Sequence, residues 1–383
     1  MRRLVVLTVV VSFVPGCGPL LGISDPTPAD RGDGGTDGST IDAPPPCVAG
    51  ATFRAEATFS VGGTGTAIAV GQLDRMPGVD VAIAVGDGVQ ILSGNGAGSF
   101  TRGAKIPTTV VAEALVLDDF DSDGDNDLIV WDVGGTSIAE IRQNSSVVPS
   151  TFLAEQPLTG PFSSLQAARS GLLDGNFIAD LVVKDGVEAR PFTSLLGTPG
   201  TFARGANAIA GVAADDALVA VADIDGAGRD DAAFVGANGD VKLALNTTQF
   251  GAAAVIATGA QNQCVAFGKF DEDTSIDLIV GTAAGGVIYR GNGATFTRSP
   301  GTFPAITGSP MQVIDLNGDG RDDLVLATRI VYQCAPAMTG APGVFTQADP
   351  IEGSTAVLAA DVTGDGKPDL LRLVGNELKV RIQ

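Results

Sequence analysis

The chain has 383 residues, 44 % of them apolar, with 52 glycines and few aromatics, a composition that suits short strands and tight turns better than long helices. It carries 44 Asp+Glu against 23 Lys+Arg, a net charge of −21, which excludes a basic nucleic-acid groove and disfavours anionic lipid headgroups. It has no histidine, so Ser-His-Asp triads, Cys-His pairs and His-ligated zinc are excluded as well.

Arg2 and Arg3 open the chain, and Leu4 to Val14 follow as an apolar run too short to cross a bilayer as a stable helix. The run ends in Val14-Pro15-Gly16-Cys17. This resembles the bacterial lipoprotein signal, which implies removal of residues 1–16 and lipidation of Cys17. The alternative is an ordinary secretory signal cut nearby. In the lipoprotein family an Asp after the cysteine directs retention in the inner membrane. Gly18 stands there instead, so an outer-membrane anchor is expected, periplasmic or surface-exposed. Loss of Arg2 and Arg3 takes the net charge to about −23. Residues 17–46 are rich in Gly, Pro, Asp, Ser and Thr and read as a disordered acidic tether. The tripeptide Arg31-Gly32-Asp33, which some integrins bind, arises easily by chance in such a segment.

From residue 47 to 383 the chain repeats. An aspartate before an apolar run recurs at Asp80, Asp127, Asp180, Asp231, Asp277, Asp323 and Asp369, with spacings of 47, 53, 51, 46, 46 and 46. Seven units at this period predict a propeller or a solenoid. Each unit has a short apolar run, an Asp-rich turn, further apolar runs and a Gly/Thr-Phe signature such as Gly200-Thr201-Phe202. Four such runs make one propeller blade. The last unit stops after its third run, and the N-terminal segment carries the Phe signature at Phe53 without the three runs before it. Residues around Phe53 to Val61 are therefore predicted to be the outer strand of the last blade. The fold class expected is all-β, a seven-bladed β-propeller of four-stranded antiparallel blades closed by an N-terminal strand.

The turns carry oxygen donors at positions 1, 3, 5 and 9. They are Asp119, Asp121, Asp123 and Asp127 in unit 2, Asp315, Asn317, Asp319 and Asp323 in unit 6, and Asp361, Thr363, Asp365 and Asp369 in unit 7. Alternate residues of a tight loop point inward, and hard oxygens without N or S donors favour Ca²⁺. An EF-hand would need a bidentate Glu at position 12, where Val130, Leu326 and Arg372 stand. Two units are less complete: unit 4 has Asp223, Asp225 and Asp231 with Ala227 at position 5, and unit 5 has Asp271, Asp273 and Asp277 with Lys269 at position 1. Lys269 is a stand-in that can neutralise the acids in place of a metal. Units 1 and 3, with Gln72 and Leu172 at position 1, are expected to close by hydrogen bonds alone. The expectation is three Ca²⁺ sites, five if the incomplete loops also bind.

The loop, the Asp-Leu that follows it and the Gly-Thr-Phe signature resemble the FG-GAP/VCBS repeats of integrin-α-type propellers, over roughly residues 47–383. The resemblance implies Ca²⁺ in the hairpin between the first and second strands of a blade. Cys47 and Cys334 are expected near the same ends of neighbouring blades, where an oxidising envelope would let them pair. Partners are expected on the face opposite the Asp loops, where Trp131, Asp132, Lys184, Asp185, Asn238, Arg329 and Asn376 lie; Trp131 either stacks on a sugar there or packs between blades. The function expected is non-enzymatic: a calcium-stabilised envelope lipoprotein, monomeric, serving adhesion or scaffolding. A glycan-binding module is the first alternative. A carbohydrate-active enzyme using a carboxylate pair is the second.

Overall fold

The computed structural model describes residues 8–9, 50–144, 151–195, 201–258, 264–271, 273–282, 285–293, 295–299, 311–335, 344–351 and 353–383. Cys17, Cys47 and most of the signal and tether lie outside them. Among the described residues there is no helix, and the strands form seven four-stranded antiparallel blades of a β-propeller. The first strand of each blade lies innermost. In blade 1 the strands are Ala67–Gly71, Asp80–Ala84, Gly86–Gly94 and Phe100–Ala112. Thr8–Val9, within the expected signal, pairs with the inner strand of that blade at Ala69 and Ile68.

Blade 7 is built as the interrupted repeat predicts. Ala356–Ala360, Asp369–Val374 and Glu377–Arg381 come from the C-terminal unit, and Ala57–Ser60 supplies the outer strand. The register runs from Ala57 opposite Val380 to Ser60 opposite Glu377. Glu56 pins this closure through Arg372, through Arg381 at 3.3 Å and through Lys379 at 3.5 Å. Closing the ring removes the exposed edges that an open sheet would leave.

Seven apolar clusters lie between the blades, each joining one blade to the next. Ile129, Trp131 and Ile138 of blade 2 pack on Leu181, Val183 and Phe192 of blade 3. Ile68, Val81 and Ile83 of blade 1 pack on Leu358, Leu371 and Val380 of blade 7, so the ring is sealed by the same chemistry. Because the inner strands have both faces covered, they are mostly apolar, as in Asp127–Trp131, where every residue is buried and only the leading aspartate is polar. The outer strands are more exposed: Ala57–Ser60 is half-buried and exposed in turn. Each fully buried Val, Leu or Ile contributes about 1.5–3 kcal/mol.

Cys334 is disulfide-bonded. Ala51 N–H donates to the Tyr332 hydroxyl oxygen at 3.1 Å, and Gly50 lies so close to the Tyr332 ring that an added Cβ would sit 2.7 Å from it. Residues 50–51 thus run beside the strand that carries Cys334; Cys47 itself is outside the described residues.

Candidate cation-binding loops

The Asp loop of each blade joins its first and second strands, and three of its features recur in all seven. Position 2 is an apolar plug: Leu73, Phe120, Leu173, Ile224, Phe270, Leu316 and Val362 are all buried in the clusters between blades. Position 9 is the recurring aspartate, at most 1 % exposed in every blade. Its carboxylate accepts two backbone N–H groups. One comes from position 2 of its own loop and the other from the end of the third strand, at 2.7–3.2 Å throughout. In blade 3, for example, Asp180 takes Leu173 N–H at 2.9 Å and Ser194 N–H at 2.7 Å. These aspartates tie three pieces of each blade together whether or not the loop has other acids. That role was missed in the sequence; its signal was the recurrence of position 9 in blades 1 and 3, where position 1 is not acidic.

The remaining acids converge in two blades. Asp119, Asp121 and Asp127 of blade 2, and Asp223, Asp225 and Asp231 of blade 4, each offer oxygens within 4.8 Å of one another. Among the described residues these are the only such triads. Asp119 Oδ1 and Asp223 Oδ1 are buried and accept no hydrogen bond from the described residues. Burial pushes the Asp127 carboxyl up to about 9 and Asp231 to about 6, with neighbouring acids adding to it, and burial also raises Asp119 and Asp121. Three acids, one of them with a buried and unsatisfied oxygen, fit a divalent cation, which would favour the ionised forms. Asp123 instead accepts the N–H of Asp125 at 2.9 Å, and Arg142 lies 3.7 Å from Asp121.

The other loops hold their acids apart. Asp315 accepts N–H groups from Gly318, Asp319 and Gly320, and Asp319 pairs with Arg321 at 3.1 Å. Asn317 donates to Asp319 at 3.5 Å. Asp361 accepts from Gly364, Gly366 and the Thr363 hydroxyl, while Asp365 accepts from Lys367 N–H. In blade 5 the cation beside Asp271 is Arg290, at 3.6 Å, and Asp273 accepts from Ser275 N–H. Lys269 is turned toward Asp322 of blade 6, its backbone N–H bonding there at 2.7 Å. Loops 1 and 3 are closed by Gln72, Asp74, Asp174 and Asn176 bonds to their own backbone. Sequence reading ranked blade 4 below blades 6 and 7 because of Ala227, yet its acids lie as close together as those of blade 2.

Residues 269–326, from the Asp loop of blade 5 to the second strand of blade 6, match the family model of the FG-GAP-like repeat. The protein is a seven-bladed β-propeller that carries an FG-GAP-like repeat at residues 269–326. No curated protein sequence matches it. The propeller is similar in structure to the BP39L lectin from Burkholderia pseudomallei (TM-score 0.60, 15 % identity, covering 82 % of this chain and 93 % of that one). It is also similar to an Agrocybe aegerita lectin described as recognising non-reducing terminal N-acetylglucosamine (TM-score 0.55, 18 % identity, 74 % and 80 % covered). A third likeness is to BBS1N, solved in complex with ARL6DN (TM-score 0.54, 13 % identity, 84 % and 93 % covered). At such identities the likeness is one of fold.

On the opposite face, the propeller keeps few of the expected contact residues available. Trp131 and Lys184 are fully buried and Asp185 nearly so, whereas Asn238 and Asn376 are exposed. Trp131 packs between blades 2 and 3. Lys184 Nζ is held by Gln166 Oε1 at 2.9 Å and the Ala214 carbonyl at 3.1 Å.

Proposed function

We propose that this protein is a non-catalytic binding module of the bacterial cell envelope, anchored through a lipidated Cys17 and stabilised by Ca²⁺ in its Asp loops. The observation that carries the reading is the pair of acidic triads with a buried, unsatisfied oxygen at Asp119 and Asp223. Such oxygens fit Ca²⁺, held by Asp119, Asp121 and Asp127 in one loop and by Asp223, Asp225 and Asp231 in the other. The conspicuous acids are thereby committed to loop structure rather than to acid–base chemistry. The cation pins loops whose carboxylates would otherwise repel one another, and the ring offers a rigid platform for a protein or glycan partner. The lectins of similar fold are compatible with a glycan partner, as BBS1N in complex with ARL6DN is with a protein one.

The test takes the full chain in millimolar Ca²⁺, applied to a printed array of oligosaccharides and incubated with polysaccharides in a reducing-end assay. Binding without turnover is expected. Turnover that disappears when a carboxylate outside the Asp loops is changed would replace this reading with a carbohydrate-active enzyme. Incorporation of labelled palmitate, lost in Cys17→Ala, checks the anchor.

A further inference from the structure

The Asp loop of blade 3 has Leu172 in place of its first acid, yet it keeps a costly feature. Position 6 is glycine in blades 2, 4, 6 and 7, with φ of +92° at Gly124, +87° at Gly228, +81° at Gly320 and +85° at Gly366. Blade 3 puts Phe177 there, at φ +64° and 70 % exposed. A bulky side chain in the left-handed region is an outlier, and strain of this kind gathers at functional sites.

Beside this loop, between the outer parts of blades 3 and 4, lies a cleft of about 390 Å³. That volume falls within the range of small-molecule sites. Asp174 comes from the Phe177 loop, Thr193 from the third strand of blade 3, and Asn207 from the chain after its outer strand. Thr248, Gln249 and Phe250 come from blade 4. Bonds between the blades fix these walls. Arg229 Nη1 donates to the Leu173 carbonyl at 3.1 Å and the Thr248 carbonyl at 3.3 Å, and Asn246 Nδ2 donates to the Leu173 carbonyl at 2.8 Å. Asn207, Thr248 and Gln249 remain exposed.

We propose that this cleft binds a neutral saccharide unit. A sugar ring has an apolar C–H face and a rim of hydroxyls, and it needs an aromatic surface beside neutral donors and acceptors. Phe250 supplies the surface inside the cleft, and Phe177 supplies a second on the adjoining loop. The amides of Asn207 and Gln249 and the hydroxyls of Thr193 and Thr248 supply the donors and acceptors. A charged sugar is disfavoured. Arg229 is engaged with two carbonyls, Asp174 accepts from Asn176 at 3.0 Å, and the net charge of −21 repels anions. The proposal rests on the binding-module reading and adds the place and the ligand class. It puts the site on the side of the Asp loops, not on the face opposite them.

The experiment compares the full chain with Asn207→Ala, Gln249→Ala, Phe177→Gly and, on the opposite face, Asn238→Ala. Each is applied in Ca²⁺ to an array of neutral and sialylated oligosaccharides, and the best hit is titrated. The expected result is binding to neutral glycans, unchanged in Asn238→Ala and weakened on the order of fivefold in each of Asn207→Ala and Gln249→Ala. Phe177→Gly should bind more weakly while melting higher, because glycine relieves the left-handed strain. Glycan binding with full affinity in all the cleft variants overturns the cleft and leaves the binding-module reading standing. A silent array overturns the saccharide. Binding to an immobilised peptide library that the same variants abolish would put a polypeptide in the cleft and preserve the wider reading. Turnover of the bound glycan would remove both.

Discussion

In blades 1, 3 and 5 the residue before the Asp loop is Gly71, Gly171 or Gly268, and position 1 is Gln72, Leu172 or Lys269. In blades 2, 4 and 6 the same two places hold Asp118, Ala222 or Ile314, and Asp119, Asp223 or Asp315. The difference is matched in the blade that follows. Position 8 of blades 2, 4 and 6 is Asn126, Asp230 or Asp322, and each reaches back to position 1 of the blade before. Asn126 Nδ2 donates to the Gln72 carbonyl at 3.2 Å, and Asp230 and Asp322 accept from Leu172 and Lys269 N–H at 2.7 Å. The glycines make room for this: a Cβ would lie 2.9 Å from Asn126 Nδ2 at Gly71, 2.8 Å from Asp230 at Gly171 and 3.0 Å from Asp322 at Gly268. After the loops with an acid at position 1, position 8 of the next blade is Ala179, Ile276, Pro368 or Val79. Carboxylates at both places would repel, so each junction takes either a cation-type loop or a polar staple. Seven is odd, so strict alternation fails at the closure, where blades 6 and 7 both have acidic loops.

The position-9 aspartate is common to both kinds of blade, and blade 3 isolates it from any cation. Asp180→Ala would strand two buried backbone N–H groups, at about 1–3 kcal/mol each. Denaturant unfolding should place the loss at roughly 2–6 kcal/mol, with or without Ca²⁺. A loss that vanishes on chelation would mean that the two kinds of blade do not share this anchor.

Ca²⁺ should divide the blades. A ligand that binds only the folded state at about a thousand times its Kd stabilises by about 4 kcal/mol per site. Thermal melts in millimolar Ca²⁺ and in chelator should therefore differ by many degrees. Asp119→Ala and Asp223→Ala should each reduce that difference, while Asp74→Ala and Asp174→Ala leave it intact. A difference untouched by the blade 4 change would return that loop to the incomplete class in which its Ala227 placed it.

Much of the fold was legible because a 46- to 53-residue period and a truncated last unit are properties of the chain itself. The closing strand could be found from one misplaced Phe signature, since a blade lacking its fourth strand leaves an unpaired edge. The Asp loops were legible as loops, but their ranking was not. Counting oxygens places blade 6 above blade 4, and only the fold reveals that Arg321 takes Asp319 while Asp223, Asp225 and Asp231 converge. The staples were invisible for a related reason. Each joins position 8 of one unit to position 1 of the unit before, and an alignment within units separates the partners. Glu140 was hidden as well. Its counterparts in the other third strands are Ile91, Pro191, Leu243, Ile288, Ile330 and Val380.

Glu140 sets blade 2 apart from its even-numbered relatives. It is fully buried, and neither carboxylate oxygen has a hydrogen-bond partner among the described residues. Burial pushes its carboxyl from 4.5 to about 7, against the pull of Arg142 and with a push from Asp121. A carboxyl raised in the folded state helps the fold below its unfolded value and loses that help as pH rises. The contribution of Glu140 should therefore fall between pH 4.5 and 7, by up to roughly 3 kcal/mol, and stay level above, on top of the slope that the raised position-9 aspartates such as Asp127 add. Glu140→Gln should make the fall between pH 4.5 and 7 shallower by that amount and exceed the wild type at pH 8. An unchanged slope would mean that the acid is compensated in solution and that blade 2 is an ordinary even blade.

The smallest expected effect is also the most direct test of the two junction types. Gly171→Ala places a methyl 2.4 Å from Val221 Cγ1 and 2.8 Å from the Asp230 carboxylate. Overpacking of this kind costs about 1–3 kcal/mol. The reverse change one blade on, Ala222→Gly, should cost only about 0.5–1 kcal/mol through backbone entropy in a strand. The double variant Gly171→Ala with Asp230→Ala decides what the glycine is for. Asp230→Ala alone leaves the Leu172 N–H without its acceptor and should destabilise by itself. If the glycine exists to admit the staple, the methyl at residue 171 should cost less once Asp230 is gone, giving a coupling of about 0.5–3 kcal/mol in a thermodynamic cycle. Strict additivity would place the clash on Val221 alone. The glycines of blades 1, 3 and 5 would then record the packing of neighbouring inner strands, and the alternation along the ring would be one of side-chain size rather than of charge.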